Sequence, residues 1–195
     1  TLKHIIRNHN GAEQYYVKFI EHEGIALALP QHENPYPTVA FPDSVYGLIN
    51  LFRFWNNIEY WYPYKSKMDE RWDDVLAQFI PRMQFLVDEK EYLHATEGLV
   101  TKLNDSHGMV WANSQDNIYG KFILPFTITF IESKWVVSSV LVDSLAGGVR
   151  KGDILGSMDG VSMIDKVEQL SRLIPSSNKA SLMSKLSYKI TRIFN

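Results

Sequence analysis

Ala146-Gly147-Gly148-Val149-Arg150-Lys151-Gly152-Asp153-Ile154-Leu155-Gly156-Ser157-Met158-Asp159-Gly160-Val161 is the stretch from which the fold is read. Its small residues at 146–148 suit the end of a short helix around Ser144-Leu145-Ala146, since glycine adopts the left-handed backbone that closes helices. Gly152 and Gly160 suit positions that need positive φ or close backbone approach, and Asp159-Gly160 is a favoured two-residue hairpin turn. The spacing predicts a strand from Asp153 to Met158, a tight turn, and a helix near Lys166 to Leu173.

Immediately upstream, Phe122 to Ile131 is β-branched and aromatic, Glu132-Ser133-Lys134 reads as a tight turn, and Trp135 to Val142 is strand-like again. A hairpin therefore leads into the glycine-rich run. The chain changes character before Gly108, where helical periodicity takes over. Asp43 or Ser44 can cap a first helix with Val45, Leu48, Ile49, Phe52 and Trp55 on one face, stopping near Tyr62-Pro63. Trp72, Val75, Leu76, Phe79, Ile80 and Met83 mark the apolar stripe of a second helix, which Pro81 should kink. Asp88 with Glu91 three residues on is a capping box for a third, which buries Tyr92, Leu99, Val100 and Leu103 and ends near Asn104.

Ahead of the helices, Gln14 to Leu29 suggests two short strands joined at Glu23-Gly24, and the four prolines from Pro30 to Pro42 make an extended connector. The expected class is α+β, in three parts: a β or extended segment over 1–43, a helical module over 44–115 and a small β-rich domain over 116–195.

Composition excludes much and names little. The chain is 45% hydrophobic, enough for packed cores, and its net charge of 20 − 22 = −2 gives no attraction to nucleic acid or anionic membrane. With no cysteine there are no disulfides, thiolate metal sites or cysteine nucleophiles. No apolar run reaches the roughly 20 residues of a bilayer span, and the start lacks the apolar core of a signal peptide. Phe52, Phe54, Trp55, Tyr60, Trp61, Tyr62 and Tyr64 crowd together, either as helix core or as an aromatic platform for a ligand.

Ser106-His107, beside Gly108 at the end of the third helix, is the candidate for chemistry. A His there can project into a cleft and act as a general base if a carboxylate or hydroxyl orients its other nitrogen. The alternative is a capping Ser and a surface His. The six histidines show no HExxH or i, i+4 metal spacing, so no metal or other cofactor is expected, and no GxxxxGK[ST] or GxGxxG loop is present for nucleotides.

The glycine-rich run resembles the signature of bacterial PDZ domains, and Leu51-Phe52-Arg53-Phe54-Trp55-Asn56-Asn57-Ile58-Glu59-Tyr60-Trp61-Tyr62-Pro63-Tyr64-Lys65, together with Trp72 and Phe79-Ile80-Pro81, resembles secreted members of the tail-specific, or C-terminal processing, serine peptidases of the tricorn-like branch. The order of helical module, Ser-His and PDZ-like domain is similar to theirs. The resemblance implies that His107 is a general base, that Ser106 orients the site, and that the nucleophilic Ser and a Glu lie in a later α/β domain; only 176–195 follows the PDZ-like unit here, so this chain is expected to be inactive alone. In branches that use a Ser-Lys dyad, His107 would be structural. The resemblance also implies a periplasmic or extracellular setting, and a peptide's C-terminal segment added as a strand at Lys121-Phe122-Ile123-Leu124, although Pro125 lacks the N–H for continued pairing and the apolar side chains could equally pack the domain. A non-catalytic PDZ-like scaffold that binds peptides is the alternative function.

Overall fold

A computed structural model describes Arg7 and residues 15–36, 43–112 and 115–194, and its β hairpins turn on pairs of residues at positive φ. The first turn belongs to a separate compact unit, 1–40. There β1 (Val17–His22) pairs antiparallel with β2 (Ile25–Pro30) through Glu23 and Gly24, both at positive φ, 52° and 79°. That is the turn whose twist matches a right-handed hairpin. Tyr15 stacks on His32, and the Tyr15 carbonyl lies 2.7 Å from His32 Nδ1. Gln14, Pro37 and Pro42 of the expected strand and connector lie outside the described residues.

The second unit, 41–195, is mixed α+β. Asp43, rather than Ser44, caps α1 (Ser44–Trp61): its Oδ1 accepts from the Val45 and Tyr46 amides at 3.0 and 3.1 Å. Pro63 drives Tyr62 out of helical conformation and ends the helix. α2 (Trp72–Gln84) runs through Pro81, and α3 (Glu89–Thr101) is capped by Asp88, whose Oδ1 accepts from the Glu91 amide at 2.7 Å. Glu91 reaches back to the Val87 amide, one residue beyond the usual capping box.

One expectation fails here. Of the apolar face expected for α1, Leu48 and Trp55 pack against the core, but Val45 and Phe52 are 60% and 43% exposed, whereas Leu51 is fully buried. The face is rotated because Gly47 sits directly against the Met83 carbonyl of α2, where a Cβ would come within 2.9 Å. The contact line follows that glycine through Leu51 to Phe54, Trp55 and Ile58, joining Trp72, Val75, Phe79, Met83 and Leu99 in one core. Trp55 and Trp72 lock the pair: each indole N–H donates to the other's carbonyl at 3.0 Å. The crowded aromatics thus divide, with Trp55 and Phe54 packed and Tyr60 and Tyr64 exposed.

After α4 (Gln115–Tyr119) the chain makes β3 (Phe122–Ile123), then the hairpin β4 (Phe126–Ile131) and β5 (Lys134–Val140), turning at Glu132 and Ser133 with φ of 47° and 64°. Lys134 is therefore strand, not turn. The expected strand over 153–158 is broken at Gly156: β6 (Ile154–Leu155) pairs with β5, while β7 (Ser157–Met158) turns at Asp159-Gly160 to pair with β8 (Val161–Ser162). α5 (Met163–Ser171) starts three residues before the expected Lys166 because Ser162 caps it, accepting from the Asp165 amide at 3.1 Å. α6 (Lys179–Ile190) packs against β4, and β9 (Arg192–Ile193) returns to pair with β3. Phe126, Ile128, Trp135, Val137, Met163, Leu186 and Ile190 form this second core.

Gly120 closes the β3–β9 pair at φ +97°, and a Cβ there would collide with the Ile193 carbonyl; Gly147, at φ +61°, has open space around its missing Cβ. Gly147→Ala should cost about 1 kcal/mol of backbone strain alone, and Gly120→Ala at least about 2 kcal/mol, since strain and collision add. Urea denaturation of the two variants measures the difference.

Candidate functional site

Asn104 takes positive φ (53°) after the last turn of α3, and the chain reverses through Asp105, Ser106 and His107. Asp105 organises that reversal. Its Oδ1 accepts from the His107 backbone amide at 2.9 Å and lies 3.1 Å from His107 Nδ1, while the Tyr62 hydroxyl donates toward Oδ2 at 3.2 Å and toward the Leu103 carbonyl at 3.3 Å. The amide bond from His107 is the main reason that the Asp105 carboxyl sits below the ordinary aspartate range. Burial, and then the Asp105 charge, push the Tyr62 phenol up, so it stays a donor.

A carboxylate on Nδ1 selects the tautomer that carries its proton there and leaves the Nε2 lone pair free. The imidazole side chain is 97% exposed. Tyr62, Asp105 and His107 are thus a relay of three groups that presents one free basic nitrogen to the outside, the arrangement a general base requires.

Ser106 faces the other way. Its Oγ accepts from the Ser177 amide at 2.8 Å and the Ser177 hydroxyl at 2.9 Å and donates to Ser181 Oγ at 2.8 Å; its own amide donates to Ser177 Oγ at 2.9 Å. The Lys185 ammonium donates to the Ser106 and Pro175 carbonyls at 2.6 and 2.7 Å, and burial lowers its pKa. Ser106 therefore joins the α3 turn to the start of α6, where Asn178 caps the helix by accepting from the Ser181 amide at 2.9 Å. Ser106 and His107 are neighbours in sequence with separate sets of partners.

The expected peptide-binding residues fall just before β4. Phe122 and Ile123 are half exposed and paired with Ile193 and Arg192, Leu124 packs against the second core with its amide donating to the Thr191 carbonyl at 2.9 Å, and Lys121 is exposed. A groove of about 540 Å³ lies beyond them, between β4 (Thr129, Phe130) and α6 (Lys179, Ala180, Met183, Ser184, Ser187). In the sheet order β4-β5-β6 the strand β4 is terminal, and among the described residues no strand pairs with its outer edge.

Among the described residues no group of three or more His, Asp or Glu side chains is placed to hold a metal ion, and no helix is long and apolar enough to cross a membrane. Sequence reasoning passed over Tyr62, Asp105, Ser177, Ser181 and Lys185. Asp105 was discoverable, being next to the Ser-His pair; the serine partners, 71 and 75 residues away, carry no spacing signal. No family model matches this chain, and no curated protein matches it.

Ser106→Ala should lower stability by about 1–3 kcal/mol, because the Ser177 amide loses its acceptor, whereas His107→Ala should stay within about 0.5 kcal/mol. Because folding holds Asp105 below its ordinary value, its contribution is present above about pH 4 and lost as pH falls further, so Asp105→Asn should flatten the acid limb of a stability-against-pH curve.

Proposed function

We propose that this chain is the base-bearing and substrate-recognition portion of a secreted serine endopeptidase of the tail-specific type, with a PDZ-like unit formed by β3–β9 and the helices α5 and α6. The observation that carries the reading is the Asp105-held imidazole of His107, exposed at the turn that Ser106 pins to α6. That turn joins a helical segment to a β-rich one in the order the family resemblance implies.

In this reading a peptide adds as a strand to the outer edge of β4, with alternate side chains entering the groove floored by Ala180 and Met183. Lys121 to Leu124 shape the turn that leads into that edge. A serine nucleophile supplied from outside these residues gives its proton to His107 Nε2 as its oxygen bonds to the scissile carbonyl carbon, and the carbonyl π electrons move onto the oxygen. The imidazolium, stabilised by Asp105, then protonates the departing amine as the C–N bond breaks. Water, deprotonated by the same nitrogen, hydrolyses the acyl-enzyme. Ser106 acts as the strut that fixes the turn. A second reading, a non-catalytic peptide-binding scaffold, is favoured by the groove alone, since its walls lie wholly within this chain.

Calorimetric titration of a panel of peptides with apolar C-termini should give micromolar binding, weakened at least about tenfold by Ala180→Trp, which fills the groove. A flat titration across the panel defeats both readings. In a protein that supplies the nucleophile, His107→Ala should lower kcat by about 10²–10⁴ with peptide affinity unchanged. An unchanged kcat leaves the scaffold reading standing alone.

A further inference from the structure

A second concavity, of about 780 Å³, opens among α2, α3, α4 and α5, and neither the His107 turn nor the β4 edge contributes to it. Arg82, Lys90, His94, Lys102 and Arg172 line it, and none of its lining residues is acidic. In a chain of net charge −2 this concentration of cations is local, not a consequence of composition.

The four permanent cations are held differently. Lys102 is anchored by Glu70 at 2.5 Å, with Gln78 donating to the other Glu70 oxygen, and Arg172 is anchored by Glu168 one helical turn earlier. Arg82 and Lys90 have no ion pair among the described residues. The Arg82 guanidinium lies over the Phe79 ring, 4.6 Å from its centroid, and beside Gly98 of α3, whose missing Cβ would stand 3.6 and 3.7 Å from the terminal nitrogens Nη1 and Nη2. The Phe79 ring thus backs one face of the guanidinium while its donors remain unclaimed by any carboxylate among the described residues. Burial first, and then the Lys90 and Lys189 charges, depress the His94 pKa against the opposing effect of Asp88.

We infer that this cleft binds a small anion with clustered anionic oxygens, of the phosphate-ester or polyphosphate class. A planar fork with free donors matches such oxygens two at a time, and neighbouring lysines neutralise the remaining charge. The volume is that of a small-molecule site, and the walls are concave, which focuses the field onto a compact ligand instead of an extended polymer. The inference is independent of the peptidase reading, since it uses no residue of the turn or the groove.

Titration of the chain at low ionic strength with inorganic phosphate and with tripolyphosphate tests it. Saturable one-to-one binding is expected, tighter for tripolyphosphate, weakened about tenfold by Arg82→Ala, partly kept in Arg82→Lys, and lost in Arg82→Ala/Arg172→Ala. Lys134→Ala, on β5 and away from the cleft, should leave it unchanged, and an unaltered far-ultraviolet circular dichroism spectrum and urea midpoint of the Arg82→Ala/Arg172→Ala variant serve as the check that the fold is intact. Absence of saturable binding with either probe overturns the inference. So does equal weakening by Lys134→Ala, which would mean diffuse charge, or an oligoglutamate peptide that binds more tightly than tripolyphosphate.

Discussion

The Ser106 hydroxyl ties the turn after α3 to the start of α6. The helical core of α1, α2 and α3 and the core of β4, β5 and α6 are built from different residues, and the turn that follows α3 links the two. At that turn Ser106, Ser177 and Ser181 exchange hydrogen bonds and Lys185 binds two carbonyls, so the start of α6 is registered against the end of α3 to within hydrogen-bond tolerance. Neutral hydrogen bonds contribute only about 1 kcal/mol each, but they are directional, and direction is what fixes the turn that carries His107.

A buried polar cluster makes a second tie between the same elements. Glu97 of α3 is almost fully buried; it accepts from the Tyr119 hydroxyl of α4 and pairs with Lys189 of α6 at 3.4 Å, and Lys189 also lies over the Tyr119 ring, 3.3 Å from its centroid. Burial is the largest influence on all three: it raises Glu97 and Tyr119 and lowers Lys189. Desolvation therefore opposes the attraction between the charges, and the pair does more to specify how α3, α4 and α6 meet than to raise stability. Specificity of this kind suits a joint, where apolar packing alone would tolerate sliding.

Local signals in the sequence identified the elements, and contacts between elements decided the rest. Asp43, Asp88 and the Asp159-Gly160 turn acted as their chemistry requires, because a cap or a two-residue turn is settled by residues within a few positions. The buried face of α1 was misread because Gly47 carries no hydrophobicity; its importance is steric and depends on the Met83 carbonyl, 36 positions away. Gly156 split an apparent strand for a related reason: β6 and β7 belong to different sheets, which no window of six residues reveals. The Ser-His pair stood out in the sequence, yet the partners that give each residue its role, Tyr62 and Ser177 among them, are separated from it by whole elements.

Three demands meet at residues 105–107. In the proposed reading the imidazole must be open to solvent and to an incoming group, its supporting carboxylate must be fixed, and the turn that carries both must not fray. Consecutive residues on an Asx-type turn point in divergent directions, so one short segment can satisfy all three conditions. Asp105 is held by the His107 amide and Tyr62, Ser106 turns inward to α6, and His107 turns outward with a single nitrogen constrained. Were the order of Ser and His reversed, the imidazole would have to occupy the space between α3 and α6 that a hydroxyl fills, and the small polar side chain would take the exposed position that His107 holds. Ser before His is therefore the order this turn can use, and adjacency in sequence is a consequence of the turn's geometry instead of a sign that the two side chains act on each other.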